Sequence, residues 1–369
     1  MKVLVLLISI ILVSLSLPNI ENPGKRILEE IKDDDIVILH TNDVHCGVND
    51  TIGYDGLMLY KKQLLRKTNN VLVVDAGDHI QGGTMGLITN GIAIIDIMNK
   101  IGYDVATLGN HEFDYGVDQL EECERLLNCS YISANYCFHK NKTVSIYNAS
   151  KTIEVGGKKI AFIGVATPQT LTKSSLISLK NDDGSPVYDF LTDNNSKELY
   201  QRIQELINEL KNKEKVDYII ILGHLGIYGD ALEENTSASL LKNLEKVDAF
   251  LDGHSHVVYS QTSPDKNEKN VILAQTGTKL ANMGVLIIHK NGGLTHENIN
   301  KVPFDPSLVN ETLNVTRNKE IVYVDKEMNE FINEKYNSFS EKLDEIIGTT
   351  EFPLNIYKIG SISKDSNTQ

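Results

Sequence analysis

Five short apolar runs end in polar, glycine-bearing loops: "IVILHTNDVH" (36–45), "VLVVDAGD" (71–78), "DVATLGNHEFD" (104–114), "DYIIILGHLG" (217–226) and "VDAFLDGHSH" (247–256). The runs are rich in Val and Ile and do not alternate strictly. That is how strands covered on both faces read. Helical spacing separates them over about 56–68, 91–101, 117–127 and 197–213. Alternating strand and helix predicts an α/β sheet core. Further strands are expected within 151–167, where Gly156-Gly157 makes a hairpin turn, and at 270–277 and 284–293. Hairpins added to a βα series predict a mixed sheet or two stacked sheets. A long polar helix is expected over about 324–347, followed by an irregular tail at 348–369.

Composition narrows the partners. The chain has 369 residues, 41% of them hydrophobic, enough for one large α/β core or two smaller domains. Its 36 Lys and Arg stand against 50 Asp and Glu, a net charge of −14, which disfavours a general nucleic-acid partner. A small anionic substrate remains compatible, because bound metal reverses the field locally. Tryptophan is absent, so no tryptophan platform for a base or sugar exists.

The N-terminus carries Lys2, an apolar run from Val3 to about Leu17, and Pro18. This is the shape of a secretory signal, too short for an ordinary membrane span of roughly 20 residues. A signal segment over 1–24 is therefore expected, with an uncleaved anchor as the alternative, and the chain reads as secreted or cell-surface. Sequons begin at Asn49, Asn128, Asn141, Asn148, Asn194, Asn235, Asn310 and Asn314, as a secreted glycoprotein would have. Of the four cysteines, Cys46, Cys123, Cys129 and Cys137, none has C-x-x-C spacing. They read as structural thiols, with one or two disulfides open to them in an oxidising compartment.

The chemistry gathers at the strand ends. These carry Asp43 and His45, then Asp78, then Asn110, His111 and Asp114, then His224, then His254 and His256. Singly, each reads as a turn, a cap or a hydrogen-bonded loop residue. Together, five strand ends deliver imidazole, carboxylate or amide where α/β folds collect ligands. These donors suit zinc, manganese or iron better than calcium. An Asp can bridge two ions, and an ion pair clamps the attacking and leaving oxygens of a phosphoester. His40, His79, His139, His289 and His296 match no ligand position and are expected at the surface or in packing.

"ILHTNDVH", "VVDAGDHIQGG", "TLGNHEFDYG", "ILGHLG" and "DGHSH" occur in the order and spacing typical of metallophosphoesterases. The chain resembles in particular the catalytic domain of the secreted 5′-nucleotidase and UDP-sugar hydrolase family, over about 35–345. The resemblance implies a four-layer α/β/β/α sandwich of two mixed sheets, with a catalytic domain over 35–323. It implies two divalent ions, zinc or manganese, and a nucleotide or related phosphoester as substrate. Asp43, His45 and His256 would hold the first ion, and Asn110, His224 and His254 the second, with Asp78 between them. His111 would sit beside the transferring phosphate, oriented by Asp114, and Glu112 is left a structural role.

Members of that family continue into a second, nucleoside-binding domain. The helix at 324–347 reads as the linker towards it, and the tail lacks the expected Arg- and Asn-rich motif. The expectation is thus a metal domain whose base-recognition module is missing: a truncated gene model, a single-domain phosphoesterase of loose specificity, or a retained fold with little activity. Cyclic-nucleotide and UDP-sugar hydrolysis share the same motifs. Two readings from other classes are a secreted binding glycoprotein and a structural metalloprotein. The first would be expected to lose ligands or the His–Asp pair, and the second has no use for that pair. Oligomeric state is left open.

Overall fold

The computed structural model describes residues 22–174, 179–181, 183–191, 196–227 and 233–339. The signal segment up to residue 21, the sequon at Asn194, the end of the predicted linker helix and the tail lie outside the described residues. The first half runs α1 (Pro23–Glu30), β1 (Ile36–Thr41), α2 (Gly53–Leu65), β2 (Val71–Asp75), α3 (Gly83–Thr89), α4 (Ile92–Ile101), β3 (Val105–Thr107), α5 (Val117–Leu126), β4 (Ser130–Ile132), β5 (Cys137–Phe138), β6 (Asn141–Ser145), β7 (Ser150–Val155) and β8 (Lys158–Val165). Then follow α6 (Thr170–Lys173), β9 (Tyr188–Asp189), α7 (Lys197–Glu209), β10 (Tyr218–Gly223), α8 (Ser237–Leu241), β11 (Ala249–Leu251), β12 (Val258–Pro264), β13 (Asn270–Thr276), β14 (Met283–Ile288), β15 (Leu294–Ile299), β16 (Thr312–Arg317), β17 (Glu320–Asp325) and α9 (Lys326–Asn337).

Two six-stranded mixed sheets form the body. One has the order β15-β14-β1-β2-β3-β4, the other β12-β13-β11-β10-β8-β7. In the first, β1 to β4 run parallel, β14 returns antiparallel to β1, and β15 pairs antiparallel with β14. In the second, β8, β10, β11 and β13 are parallel, edged by antiparallel β7 and β12. Alternate residues explain the layers. Ile36 and Ile38 of β1 join Val74, Phe162, Ile220 and Leu251 between the sheets. Val37 and Leu39 turn to the opposite face, under α2 and α4, with Leu57 and Ile94. Ile219 and Ile221 do the same on the second sheet, beneath Ile203 and Ile207 of α7. Each strand is thus covered twice, which is why the runs lack alternation. A fully buried Ile or Leu contributes about 1.5–3 kcal/mol. The architecture is the four-layer sandwich expected.

Several local expectations are refined. The hairpin at Gly156-Gly157 joins β7 and β8, with Val155 opposite Lys158. α9 begins at Lys326, capped by Asp325. Its Met328 and Ile332 are buried in the core shared with α2 and α4, so its described part is docked on the body formed by the two sheets. Residues 22–24 already form the cap and first turn of α1, with the Gly24 N–H donating to Asn22 Oδ1 at 2.9 Å. The cysteines are structural thiols as expected, all four free and buried, with none of the disulfides left open to them formed. They lie at separate places. The Cys46 thiol faces the Ile80 carbonyl at 3.1 Å and Cys137 the Asp189 carbonyl at 3.4 Å. Burial pushes the Cys46 and Cys129 thiols up to about 12 and the Cys123 and Cys137 thiols up to about 11, so they remain protonated.

Candidate metal centre

The seven nominated ligands meet at one end of the sandwich. Asp43, Asp78 and Asn110 follow β1, β2 and β3 of the first sheet, and His224, His254 and His256 follow β10 and β11 of the second. Among the described residues six of them form two groups that could hold metal, Asp43, His45, Asp78 and His256, and Asp78, His224 and His254, with ligand atoms in each group all within 4.8 Å of one another. Asn110 lies beside them in the β3 loop, next to His111, whose N–H donates to Asp78 Oδ1. Asp78 belongs to both groups. His45 Nε2 lies 3.8 Å from Asp78 Oδ2 and 3.0 Å from His256 Nε2. His224 Nε2 lies 2.9 Å from Asp78 Oδ2.

The buried polar atoms fit an ion there. Asn110 Oδ1 is buried with no hydrogen-bond partner among the described residues, and buried His224 Nε2 faces only the carboxylates of Asp78 and Asp43, at 2.9 and 3.7 Å. Burying a polar atom unsatisfied costs about 1–3 kcal/mol, so Asn110 Oδ1 points to something that satisfies it. Burial opposes the charge of Asp78, but His224, His111 and His45 outweigh it and hold the carboxyl below the usual carboxylate range. Burial also opposes the His224 imidazolium, and Asp78 and Asp43 overcome it and raise the imidazole. Burial and the neighbouring His224 push His254 down to about 4. Cationic imidazoles packed around buried carboxylates are the arrangement that divalent cations replace, since ligating histidines are neutral.

The backbone is bent to make this site. Asp43 (φ 50°), His45 (φ 45°), Asp78 (φ 61°), His254 (φ 80°) and His256 (φ 55°) all adopt left-handed conformation. For residues with a Cβ that region is sparsely populated, with Asp, Asn and His its commonest occupants. Two glycines supply room. A Cβ on Gly109 would fall 2.1 Å from Asp78 Oδ1, and one on Gly253 would fall 2.6 Å from His224 Nδ1.

A second set of residues orients the first; of these Glu112 has the structural role expected, and Gln169 is the one overlooked in the sequence. The Glu112 carboxylate accepts backbone N–H groups from Asp78 (2.8 Å) and Gly109 (2.7 Å) on one oxygen and from His79 (2.8 Å) on the other. It therefore ties the β2 loop to the β3 loop. Of the two places expected for it, surface or packing, His79 takes the second: it is fully buried, with Nδ1 2.8 Å from Asp75 and Nε2 2.7 Å from the Tyr131 hydroxyl. His40 is also fully buried, its Nε2 2.7 Å from that of His296. His224 Nδ1 meets the Ala76 carbonyl at 2.7 Å, crossing between sheets and fixing the ring. The His254 N–H donates to Asp43 at 2.9 Å, another crossing. His254 Nε2 contacts Gln169 Oε1. Gln169 follows β8, a parallel strand, and so carries the same strand-end signature as the ligands. Reading 151–167 as a hairpin alone hides it.

His111 and Asp114 sit at the open side. His111 Nδ1 lies 2.6 Å from Asp114 Oδ2, and the His111 N–H donates to Asp78 Oδ1 at 2.8 Å. The His111 side chain is 29% exposed while Asp78 is buried, so a solute reaches this imidazole first. Burial opposes its charge, but Asp114 and Asp78 outweigh it and raise the imidazole.

Residues 36–258 match the family model of calcineurin-like phosphoesterases. The chain is 26% identical over 273 residues to the trifunctional nucleotide phosphoesterase protein YfkN of Bacillus subtilis, a match that covers 65% of this chain and 17% of that protein. It is 29% identical over 251 residues to the 5′-nucleotidase of Mus musculus, covering 63% of this chain and 40% of that one. The matched region thus spans two-fifths or less of these relatives. The 5′-nucleotidase precursor from Thermus thermophilus superposes with a TM-score of 0.65 at 20% identity, over 85% of this chain and 61% of that chain. The solved structure of YfkN from Bacillus subtilis gives 0.63 at 20% identity, over 84% of this chain and 99% of that chain. At such identity these superpositions carry the fold alone. The family match starts at the first residue of β1 and runs through both ligand-bearing rims to His256, and by it the chain belongs to the calcineurin-like phosphoesterase family.

Proposed function

We propose that this chain is a two-metal phosphohydrolase acting on nucleotides, in the manner of a 5′-nucleotidase. The observation that carries the reading is the buried, unsatisfied Asn110 Oδ1 beside two ligand groups that share Asp78. Asp43, His45 and His256 would hold one ion, Asn110, His224 and His254 the other, and Asp78 both. The donor set suits zinc or manganese. Such ions supply neutralisation of phosphoryl charge and acidification of a water. The chain's own residues do the rest. Asp114 holds a proton at His111 Nδ1, which leaves Nε2 as the nitrogen that meets the substrate. A proton on Nε2 suits donation to the leaving oxygen. The hydrogen bond from the His111 N–H to Asp78 keeps this imidazole in register with the shared ligand.

The name of the YfkN relative, a trifunctional nucleotide phosphoesterase, favours a second reading of broader phosphoester specificity. One assay separates the two: phosphate release from AMP, ADP, UDP-glucose and an aryl phosphate, with zinc or manganese and with a chelator. Chelator-sensitive turnover of AMP above the others supports the nucleotidase. Comparable turnover of all four supports the broad enzyme. No turnover with two ions bound would sink both. Export is part of the proposal and rests on Lys2, the apolar run that follows it, and the sequons. Among the described residues no helix is long and apolar enough to cross a membrane.

A further inference from the structure

The hairpin β16–β17 has one face turned to the body and one turned out. On the inner face Arg317 pairs with buried Asp55 of α2, its Nη1 2.9 Å from Asp55 Oδ1, and Val324 is fully buried. The outer face is unusual for an edge hairpin. Asn314 lies directly opposite Tyr323 and Thr316 directly opposite Ile321. Paired residues of an antiparallel ladder share a face, with Cβ atoms about 4.5–5.5 Å apart. Residues two apart on one strand share it too. So Asn314, Thr316, Tyr323 and Ile321 share one face, on which Asn314, Thr316 and Ile321 are exposed while Tyr323 is half-buried with its ring leaning on the core. Phe304 extends that face, its ring centroid 5.2 Å from that of Tyr323. Ile321 is 59% and Phe304 45% exposed.

Asn314-Val315-Thr316 is a sequon, with both its Asn and its Thr exposed on that face. We propose that Asn314 carries an N-linked glycan whose first N-acetylglucosamine lies over Tyr323, Phe304 and Ile321. A pyranose linked through Asn314 Nδ2 offers a flat C–H face to the aromatic ring opposite it and covers apolar surface that is otherwise left to water. The donor is a lipid-linked oligosaccharide pyrophosphate of the secretory route. The bond from Nδ2 to the sugar C1 forms as the C1–O bond to the pyrophosphate breaks. The lipid pyrophosphate keeps that oxygen and its electron pair, and Nδ2 loses one proton. The inference rests on the export reading given above. It also discriminates between sequons. Asn235 is 8% exposed, its side chain is bonded to Ser196, and Thr236 caps α8 by accepting from the Ser239 N–H at 3.3 Å. That sequon is occupied by the fold itself and stays bare. Asn128 and Asn148 are exposed but lie on no such patch and serve as reporters of entry into the secretory route.

The test is to express the full chain in eukaryotic secretory cells and map occupied sites by mass spectrometry after release with a peptide N-glycosidase in heavy-oxygen water, which turns each occupied Asn into a heavy-oxygen-labelled Asp. The expected result is modification at Asn314 and none at Asn235. Thermal melting then reads the packing. Asn314→Gln should lower the midpoint of the glycosylated protein by about 2 °C. Thr316→Val, which removes the sequon but keeps Asn314, should do the same. Neither should change the midpoint of protein made in bacteria without glycans. Ile321→Ser combined with Phe304→Ala should abolish the glycan-dependent difference while leaving Asn314 modified. Modification at Asn128 or Asn148 with Asn314 bare overturns the inference alone. Modification at Asn314 with equal midpoints overturns the packing claim. No modification at any sequon overturns export and this inference together.

Discussion

The two strand-end rims that face each other across the site are built differently. The rim of the first sheet brings two carboxylates and an amide, all buried, Asp43, Asp78 and Asn110, with the imidazole of His45 at their edge. It is tied from below by Glu112, which binds the β2 and β3 loops at once. The rim of the second sheet brings imidazoles of increasing exposure, from fully buried His224 to a His256 side chain that is 47% exposed. Its inner part is braced by buried Asp252, which accepts the Leu225 N–H at 2.8 Å and so ties the β10 loop to β11, while the outer His254 leans on Gln169. Charge is thus fixed rigidly on one side, and neutral donors close over it from the other. Damage to the first rim should therefore cost both ions and stability, whereas damage to the outer part of the second should cost an ion alone.

The largest effect is expected at Asp78, which both ligand groups share. Asp78→Asn should lower bound metal from near two ions per chain to near none and take phosphate release to the chelator-treated background. Retention of both ions, measured by elemental analysis, would sink the shared-ligand assignment. His111→Ala comes next. Turnover should fall by about 10²–10⁴-fold, the worth of a positioned acid, with metal content unchanged. Metal loss there would instead mean that His111 ligates.

The contrast between the rims is sharpened by Glu112→Gln against Gln169→Ala. The amide introduced by Glu112→Gln would turn an NH2 group towards backbone N–H donors that now meet an oxygen. Stability should drop by about 1–3 kcal/mol, with ion affinity about 10–100-fold weaker. Gln169→Ala should weaken ion affinity about tenfold and leave the denaturation midpoint in place. Equal loss of stability in both would erase the distinction. Likewise His256→Ala should lose one ion at a stability cost within about 0.5 kcal/mol.

The smallest effect lies outside both rims and is a control. Burial opposes the charge on Asp189, but hydrogen bonds from Lys142, His139 and the Leu191 N–H outweigh it and lower its carboxyl. A carboxyl depressed in the folded state stabilises above its unfolded value of about 3.9, and that contribution is lost as pH falls through the folded value. Relative to Asp189→Asn, the wild-type chain should lose its advantage in urea titrations between about pH 5 and pH 3. Metal content at neutral pH should be the same in both.

Local pattern is enough for much of this. The five apolar runs become β1, β2, β3, β10 and β11 because Val- and Ile-rich stretches bounded by Gly and polar residues have few other ways to satisfy both burial and backbone hydrogen bonding. Polar edge strands are harder to read. The β12 stretch "VYSQTSP" has its side chains mostly in water, so no apolar periodicity marks it. The hairpin of β16 and β17 escapes for the same reason, and the small sheet of β5, β6 and β9 is held by pairings such as Cys137 with Asp189 that no local window contains.

The residue types at the strand ends are legible in the sequence, because turn chemistry and ligand chemistry are properties of short stretches. Their grouping is decided by tertiary structure. Asp43 meets His254 across 211 positions, and β1 pairs with β14 with Ile38 beside Leu286, separations in sequence that only packing of the two sheets closes. The left-handed backbone at Asp43, His45, Asp78, His254 and His256 belongs to the same class, since strain of that kind persists only where surrounding contacts enforce it. So do the buried thiols, the burial of His79 and His40, and the difference between Asn235 and Asn314. Each turns on what lies against the side chain, and that is set by the fold rather than by neighbours along the chain.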